Sequence, residues 1–397
     1  MKLAYLTTCF STPSHTFIRR ELRRFEALGV SVELYGIHRD TNPSADGVDL
    51  AERTHYLYPL RLLSLAGLNL YFALLHPRRY WSCFWDCLNA EGESWKSRLT
   101  LLYHFKASAG FAKDMMDRRI THLHAHFLNV SSSVAMFSSR LSGIPYSITI
   151  HSAGEKNLPH VIGIAMKLRW AKYLLMISRY NIDYYDAIYP CREKSIVVRC
   201  GMNIEDFEFR APPHTEPEML KVLAVGRFVE KKGFQYLIEA ANILLRRGQY
   251  CSIKILGSGP LEEQFKLRVS ELKIDDMVSL PGKVSSAEVK QRMATSDVVV
   301  VPSVTSASGE MEGIPVVIME AMALGVPVIA SAHSGIPELV SEETGTLVPE
   351  KDAQALADAI HDFHIDIDKL RRARALIENE FNIETVVEQR LNIFSQS

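Results

Sequence analysis

The sequence predicts an α/β protein built from two doubly wound domains, each around a parallel sheet. The chain has 397 residues, about twice the length of a common single domain. Short apolar runs rich in β-branched residues alternate with longer helical patterns, which is typical of βαβ units. This alternation breaks at 203–220, where proline and acidic residues accumulate, and restarts afterwards. We therefore expect a linker there, and a ligand cleft between the domains at the carboxyl ends of both sheets.

The first half contains six predicted strands and one well-delimited helix. The strands are expected at 1–7, 30–36, 122–126, 146–151, 173–178 and 195–200. A helix over 17–28 ends at Gly29, a residue that commonly terminates helices. Residues 56–118 lack a clear strand pattern and predict a long, mostly helical insertion rich in aromatic and basic side chains.

The second half repeats the alternation. Its strands are expected at 221–225, 251–256, 278–280, 298–301 and 327–330. Helices are expected at 234–247, from 261 onward, and at 316–324, with a last helix at 383–393.

Composition is ordinary for a globular protein, with 47% hydrophobic and 23% charged residues, so disordered and fibrous classes are excluded. The six cysteines are scattered and form no Cys-x-x-Cys pair. Neither a disulfide framework nor a zinc site is expected, which favours a reducing compartment. The amino terminus lacks a secretory pattern, and the apolar stretch 62–75 is too short to span a bilayer. We expect a cytoplasmic protein.

Charge is distributed unevenly although the net charge is only −1. Residues 1–205 hold 25 Lys and Arg against 17 Asp and Glu, whereas residues 206–397 hold 20 against 29. The first half also contains the aromatic and basic region from Arg61 to Arg79. These features predict peripheral association with an anionic membrane surface. The alternative is that 62–75 is an ordinary core helix. Nucleic acid is not an expected partner, because no recognised module for it is present.

The segment GRFVEKKG places Arg227 and Lys232 between a strand and a helix. Backbone amides, a helix dipole and two cations together favour a diphosphate. The alternative interpretation is that both side chains are simply solvated. A dinucleotide dehydrogenase is disfavoured, since neither first βα turn contains Gly-x-Gly-x-x-Gly.

The segment EGIPVVIME carries two carboxylates, Glu312 before a helix and Glu320 within it. Pro315 between them suits the first turn of that helix. The exposed amides could bind a phosphate, and the carboxylates could bind hydroxyl groups. A carboxylate inside an otherwise apolar helix is costly without a partner, and a bound polyol would remove that cost.

These segments, with LGSGP at 256–260, LPGKV at 280–284 and HSGIPELV at 333–340, resemble the retaining family-four glycosyltransferases of the GT-B fold. The resemblance implies that Arg227 and Lys232 neutralise the donor diphosphate, that Glu320 binds the ribose, and that Glu312 contacts the donor sugar. The implied donor-binding residues are Gly226, Lys283, Val284, Gly313, Ile314, Pro315, Val316, Val317 and Glu320. Gly257 and Gly259 are open to two roles, a tight turn or ligand contact, and we favour the turn.

The amino-terminal half resembles a subgroup that assembles bacterial exopolysaccharides of the colanic acid and amylovoran type. The motif Ser-x-Thr-Phe-Ile-x-x-Glu is met by Ser14, Thr16, Phe17, Ile18 and Glu21, and HAHF follows at 124–127. Ser14, Thr16 and His126 are expected on the acceptor side, although His126 could instead be a core residue.

His151 ends a strand where the family often carries a histidine that contacts the donor sugar near its reacting carbon. The following residues, SAGEKN, depart from the usual Gly-x-Asp, so Glu155 is not equated with that acid.

The resemblance therefore implies an acceptor-binding domain of residues 1–205 with 380–397, and a donor-binding domain of residues 206–379. The implied activity is metal-independent, retaining sugar transfer from a nucleotide-diphosphate sugar to a glycan or polyprenyl-diphosphate-linked acceptor, with no cofactor. Two alternatives are a nucleotide-sugar epimerase of the same fold and a non-catalytic scaffold.

Overall fold

The computed structural model describes residues 1–12, 15–40, 47–60, 62–158, 160–210 and 218–396. It divides into two compact units, one of Met1–Met202 with Ile383–Ser397 and one of Asn203–Asn382. The sequence analysis expected the boundaries after residue 205 and before residue 380, and the boundaries of the structure differ from these by only a few residues. Residues 211–217 of the predicted linker lie outside the described part of the chain.

The first unit contains one parallel sheet of seven strands. They are β1 (Lys2–Thr7), β2 (Ser31–Gly36), β3 (His55–Tyr56), β4 (His122–His126), β5 (Tyr146–Ile150), β6 (Tyr173–Met176) and β7 (Ser195–Val197). Their order is β3-β2-β1-β4-β5-β6-β7, so the direction of winding reverses between β1 and β4. Edge strand β3 was not predicted, because two residues are too few to show a strand pattern.

The helices of this unit cover both faces of the sheet and form the predicted insertion. They are α1 (Thr16–Ala27), α2 (Val48–Glu52), α3 (Leu62–Leu75), α4 (Pro77–Leu88), α5 (Trp95–Asp117), α6 (Val130–Ser142), α7 (Ile164–Trp170) and α8 (Arg179–Asp186). Helices α3 to α5 are the insertion, and α5 packs along α6. Phe72, Tyr80 and Phe105 anchor the three insertion helices in the core.

The second unit contains a parallel sheet of six strands in the order β10-β9-β8-β11-β12-β13. The strands are β8 (Leu220–Val225), β9 (Cys251–Leu256), β10 (Val278–Gly282), β11 (Val298–Val301), β12 (Val328–Ser331) and β13 (Thr346–Val348). The helices are α9 (Phe234–Arg246), α10 (Glu262–Leu272), α11 (Ser286–Ala294), α12 (Val316–Leu324), α13 (Ala353–His361) and α14 (Ile367–Glu380). The four valines of β11 are all buried, as expected where helices cover both faces of a parallel sheet.

The last helix, α15 (Ile383–Ser395), belongs to the first unit. Val387 and Phe394 pack with Tyr5 of β1 and Leu22 of α1 in one apolar cluster. The same helix also buries a charged residue, Arg390, which is 1% exposed. Helix α15 is therefore an integral part of the first unit's core.

Candidate active site

The predicted donor-site residues lie in loops that follow β8, β10 and β11, and at the start of α12. In a parallel sheet these loops share one edge, the edge where such folds bind ligands. Arg227 follows β8 and is exposed. Within the part of the chain that the structure describes, its guanidinium makes no ion pair. Its neighbour Phe228 is fully buried, and the Phe228 N–H donates to the Ser258 carbonyl at 2.9 Å. The buried neighbour fixes the loop and directs Arg227 outward.

Two glycines allow the loop after β9 to lie directly on the loop after β8. Gly257 has a φ of +148°, and a Cβ there would stand 1.8 Å from the Gly226 carbonyl oxygen. A Cβ on Gly259 would stand 2.6 Å from the carbonyl oxygen of Phe228. Backbone atoms cannot yield at such distances, so both positions require glycine for loop packing. The close approach of the two loop backbones is therefore what requires glycine at both positions.

Lys232 and Glu312, which the sequence analysis assigns to different parts of the donor, form an ion pair. Lys232 Nζ lies 2.8 Å from Glu312 Oε2, and Lys231 Nζ lies 3.7 Å from Glu312 Oε1. Burial opposes ionisation of Glu312, but the two lysines outweigh it and lower the pKa of this carboxyl. Glu312 is therefore a carboxylate held between two cations, one of which, Lys231, the sequence analysis did not single out.

His333, in the loop after β12, holds the backbone of Glu312. The Glu312 N–H donates to His333 Nε2 at 3.3 Å, while His333 Nδ1 lies 3.1 Å from Glu350 Oε2. Nδ1 therefore carries the proton of a neutral ring, and burial lowers the pKa of His333. The next residue, Ser334, has a φ of +50°, uncommon for a residue with a side chain. The motif HSGIPELV marks this segment, but nothing in the sequence links its histidine to Glu312.

Helix α12 presents its amino terminus to the same region. Pro315 is the N-cap residue, one position before the first turn that the sequence suggested, and among the described residues no side chain caps this helix end. The first amides, those of Val316 and Val317, follow directly, while Gly313 and Ile314 lie in the preceding loop. Uncapped amides at a helix start are an anion-binding arrangement.

The remaining donor-side residues are placed at the same sheet edge. Glu320 lies in the second turn of α12 and is half-buried, although most of that helix is buried. Lys283 directly follows β10 and is exposed, with Val284 beside it half-buried. In the described ranges Lys283 makes no ion pair. The cations Arg227 and Lys283 are thus available to a ligand, whereas Lys232 is shared with Glu312.

His151 follows β5 in the first unit, and both of its ring nitrogens face groups of that unit. Nε2 lies 3.1 Å from His126 Nδ1, and Nδ1 lies 3.7 Å from Cys200 Sγ. The ring also lies against Phe17 and Phe127, with centroid distances of 4.6 and 4.5 Å. Burial holds the pKa of His151 well below its usual value, so the ring is neutral. In this conformation neither ring nitrogen is left for a sugar hydroxyl.

His126 is fully buried, which corrects its placement on the acceptor side. It lies under His151, and burial also holds its pKa well below the usual value. Alternation along β4 correctly indicated the shared face of His124 and His126, but it could not show that α15 covers that face. Of the other acceptor-side residues, Thr16 begins α1 and is half-buried, whereas Ser14 lies outside the described residues.

The motif residue Glu21 belongs to a buried network that sequence analysis did not predict. Its carboxylate accepts a hydrogen bond from the Tyr5 hydroxyl and pairs with Arg390 of α15, whose Nε lies 3.2 Å from Glu21 Oε2. Arg390 Nη1 also lies 2.9 Å from Thr149 Oγ1 and 3.3 Å from His124 Nε2. A single arginine among the apolar positions of the last helix was the only sequence signal for this network.

The fold and one half of the chain match known glycosyltransferases. Residues 205–380 match the family model described as Glycosyl transferases group 1. The structure of HepE from Anabaena in complex with UDP-glucose is similar over 100% of both chains, with a TM-score of 0.72 and 16% sequence identity. Such structural neighbours are GT-B glycosyltransferases, and the present chain has the GT-B fold.

Two curated relatives extend the similarity to nearly the whole chain. The putative colanic acid biosynthesis glycosyltransferase WcaL of Escherichia coli K12 is 31% identical, over 97% of each chain. The amylovoran biosynthesis glycosyltransferase AmsK of Erwinia amylovora is 31% identical, over 96% of each. The chain belongs to the group 1 glycosyltransferases, in the subgroup that includes these exopolysaccharide enzymes.

Proposed function

We propose that this protein is a retaining glycosyltransferase that moves a sugar from a nucleotide-diphosphate donor to a glycan or polyprenyl-diphosphate-linked acceptor during exopolysaccharide assembly. The observation that carries the proposal is the group of cations and free helix amides at one sheet edge of the second unit. Lys231 and Lys232 flank Glu312 there, and α12 begins beside it without a side-chain cap. Fixed positive charge at that point would stabilise the diphosphate as it departs.

The proposed transfer breaks the bond between the anomeric carbon and the donor phosphate oxygen, and forms a bond to the acceptor oxygen. The acceptor proton passes to the leaving phosphate, as the family resemblance implies. The negative charge of the departing diphosphate would be compensated by Arg227, Lys232 and the amides of Val316 and Val317. We therefore propose that no divalent cation is required. The uridine nucleotide sugar bound to HepE supports nucleotide sugars as the donor class.

An assay of nucleotide-sugar turnover with and without lipid-linked acceptor separates this proposal from its two alternatives. A transferase consumes the donor in proportion to the acceptor, an epimerase converts the donor without acceptor, and a scaffold does neither. We expect acceptor-dependent turnover that persists in a chelator. Donors are first selected by thermal stabilisation, since a bound ligand raises the melting temperature by mass action. Complete loss of turnover in the chelator, with recovery on adding magnesium, would refute the proposal that the transfer needs no metal ion.

The two carboxylates should differ in what they recognise. We expect Glu320→Gln to weaken binding of the free nucleoside diphosphate and of the donor to a similar degree. Glu312→Gln should leave binding of the free nucleoside diphosphate within about threefold of wild type, but should weaken use of the sugar donor, because its carboxylate is proposed to meet the sugar. Titration calorimetry with both ligands tests the difference, and equal losses for both ligands in both variants would contradict it.

We further propose that the first unit docks on an anionic membrane surface through its helical insertion. On α3, Leu65, Leu68 and Phe72 face the core, whereas Leu63 is 92% exposed. One side of α3 therefore packs in the core, and its exposed side is the part that we propose meets the membrane. The exposed apolar side chains of the insertion are Leu63, Leu70, Leu74, Leu75, Trp81, Trp85, Trp95, Leu99 and Tyr103. The concentration of nine exposed apolar side chains in one helical insertion is the observation that supports the docking.

Basic side chains accompany this surface. Arg78 and Lys96 are exposed and carry no ion pair within the described ranges. Arg79 donates to the Ser142 carbonyl at 2.9 Å and so caps the carboxyl end of α6. Arg61 lies outside the described residues. Among the residues that the structure describes, no helix is long and apolar enough to cross a bilayer.

Sedimentation with liposomes tests this docking. The protein should bind vesicles rich in anionic lipid, bind neutral vesicles less, and dissociate as salt rises, because screening shortens the reach of surface charge. Leu63→Ser with Leu74→Ser should weaken binding. The matched control is Leu267→Ser, which changes an exposed leucine of the second unit. Equal binding to neutral and anionic vesicles, or none at low salt, would reject the proposal.

A further inference from the structure

Two buried ionisable side chains of the first unit, Glu155 and Lys167, have no part in the transfer as proposed so far. Glu155 lies in the short 3-10 turn Ala153–Asn157 and is 8% exposed, while Lys167 lies in α7 and is fully buried. Burial raises the pKa of Glu155 to about 7 and lowers the pKa of Lys167 to about 7. Holding both groups inside the protein is costly, so their hydrogen-bond partners indicate what they are for.

Both side chains bind backbone groups, and these groups belong to two turns. Glu155 Oε1 accepts the N–H groups of His151 at 2.6 Å and of Ser152 at 3.1 Å. Its other oxygen, Oε2, accepts the N–H of Leu128 at 2.7 Å. The carboxylate therefore joins the turn after β5 to the turn after β4.

Lys167 completes the link from the other side of Leu128. Its Nζ donates to the carbonyl oxygens of Leu128 at 2.5 Å and of Asn129 at 3.0 Å. Leu128 is thus held through its N–H by Glu155 and through its carbonyl by Lys167. We call these two residues the turn clamp.

The residue before Leu128 is in an unusual conformation. Phe127 has a φ of +70°, a strained conformation for a residue that is not glycine, and such a conformation persists only where the surroundings enforce it. In this conformation the Phe127 ring lies against His151. The turn clamp can enforce this conformation, because it fixes the backbone at Leu128, directly after Phe127, and also fixes the backbone at His151.

We propose that Glu155 and Lys167 are positioning residues of the transfer reaction, which lock the Phe127 turn and the His151 turn into one arrangement at the carboxyl edge of the first sheet. They act through the backbone and touch no substrate. Their role rests on the proposed function, in which the first unit binds the acceptor: the two turns would shape the acceptor edge of that unit, and this needs no free nitrogen on the His151 ring.

Glu155→Gln and Lys167→Met test the clamp separately. A glutamine amide at position 155 cannot accept from all three N–H groups, and a methionine at position 167 cannot donate to either carbonyl. We expect kcat to fall about 10- to 100-fold in each, while the donor KM stays within about threefold, because the donor is held by the second unit. Amide hydrogen exchange should rise in peptides covering 127–131 and 151–153, and should not change elsewhere.

The matched control is Lys194→Met. Lys194 Nζ also donates to two backbone carbonyls of the first unit, those of Arg169 and Ala171, but it contacts neither turn. This variant should keep wild-type kcat. If a single variant folds poorly, the double variant Glu155→Gln with Lys167→Met removes both buried charges together, and it should fold while keeping the low kcat.

The outcomes distinguish this inference from the proposed function. A wild-type protein without transfer activity would refute the proposed function. Active wild type with clamp variants at wild-type kcat, or with unchanged exchange at 127–131, would overturn the clamp. If Lys194→Met lowers kcat as much as the clamp variants do, the clamp is also overturned, because the loss would then come from general destabilisation of the first unit.

Discussion

Replacing Lys232 by alanine is expected to lower kcat about 10²- to 10³-fold, the loss typical of removing one group that stabilises charge in the transition state. The diphosphate gains negative charge as it leaves, and Lys232 is the most enclosed cation at the sheet edge, with its side chain 17% exposed. Charge in such a place is screened less than on the surface. Stability should change little, because Lys231 remains beside Glu312 at 3.7 Å. Steady-state kinetics and thermal unfolding measure the two effects.

A matched control for this variant is Lys254→Ala. Lys254 lies on β9, is exposed, and makes no ion pair among the described residues. Its replacement should leave kcat unchanged, whereas Arg227→Ala should act in the same direction as Lys232→Ala. Wild-type kcat in the Lys232 variant would remove the main support for the proposed diphosphate site.

Replacing Arg390 by methionine is expected to lower the free energy of unfolding by about 3–5 kcal/mol, because it leaves Glu21 as an unpaired charge in the core. Burial raises the pKa of Glu21, and Arg390 opposes that shift. Without Arg390 the pKa of Glu21 should rise further. At acidic pH Glu21 is then protonated, and the variant no longer buries an unpaired charge. The loss of stability should therefore be small near pH 4 and grow as the pH rises towards 7. Urea unfolding at several pH values measures this.

The double variant Glu21→Gln with Arg390→Met tests the cause. It removes both charges and should recover a large part of the lost stability, with much less dependence on pH. As a control, Arg192→Met removes an arginine that pairs with Asp183 and Asp186 at the surface, which should cost less than about 1 kcal/mol. An Arg390 variant as stable as the Arg192 variant would show that the buried pair contributes little.

The strands were the most predictable part of the fold. β4, β9 and β11 begin and end at the predicted residues. Of the three, β11 is the continuous buried β-branched run that a parallel sheet covered on both faces favours, whereas β4 alternates histidine with apolar residues and β9 exposes Lys254. The helix that carries Glu320 was predicted equally well, since Pro315 and Gly325 flank it. Edge strand β3 escaped prediction, because it is too short to carry a pattern.

The sequence by itself determined the two parallel sheets, the family, and the segments that carry Arg227, Glu312 and His151, because local periodicity and motif spacing depend only on neighbours along the chain. Tertiary structure alone decided which side chains meet. It paired Lys232 with Glu312, 80 residues apart, and Arg390 with His124, 266 residues apart. It also buried His126 beneath His151. These contacts arise where loops and helices from distant parts of the chain converge on one sheet, and the burial and charge state of each group depend on that convergence.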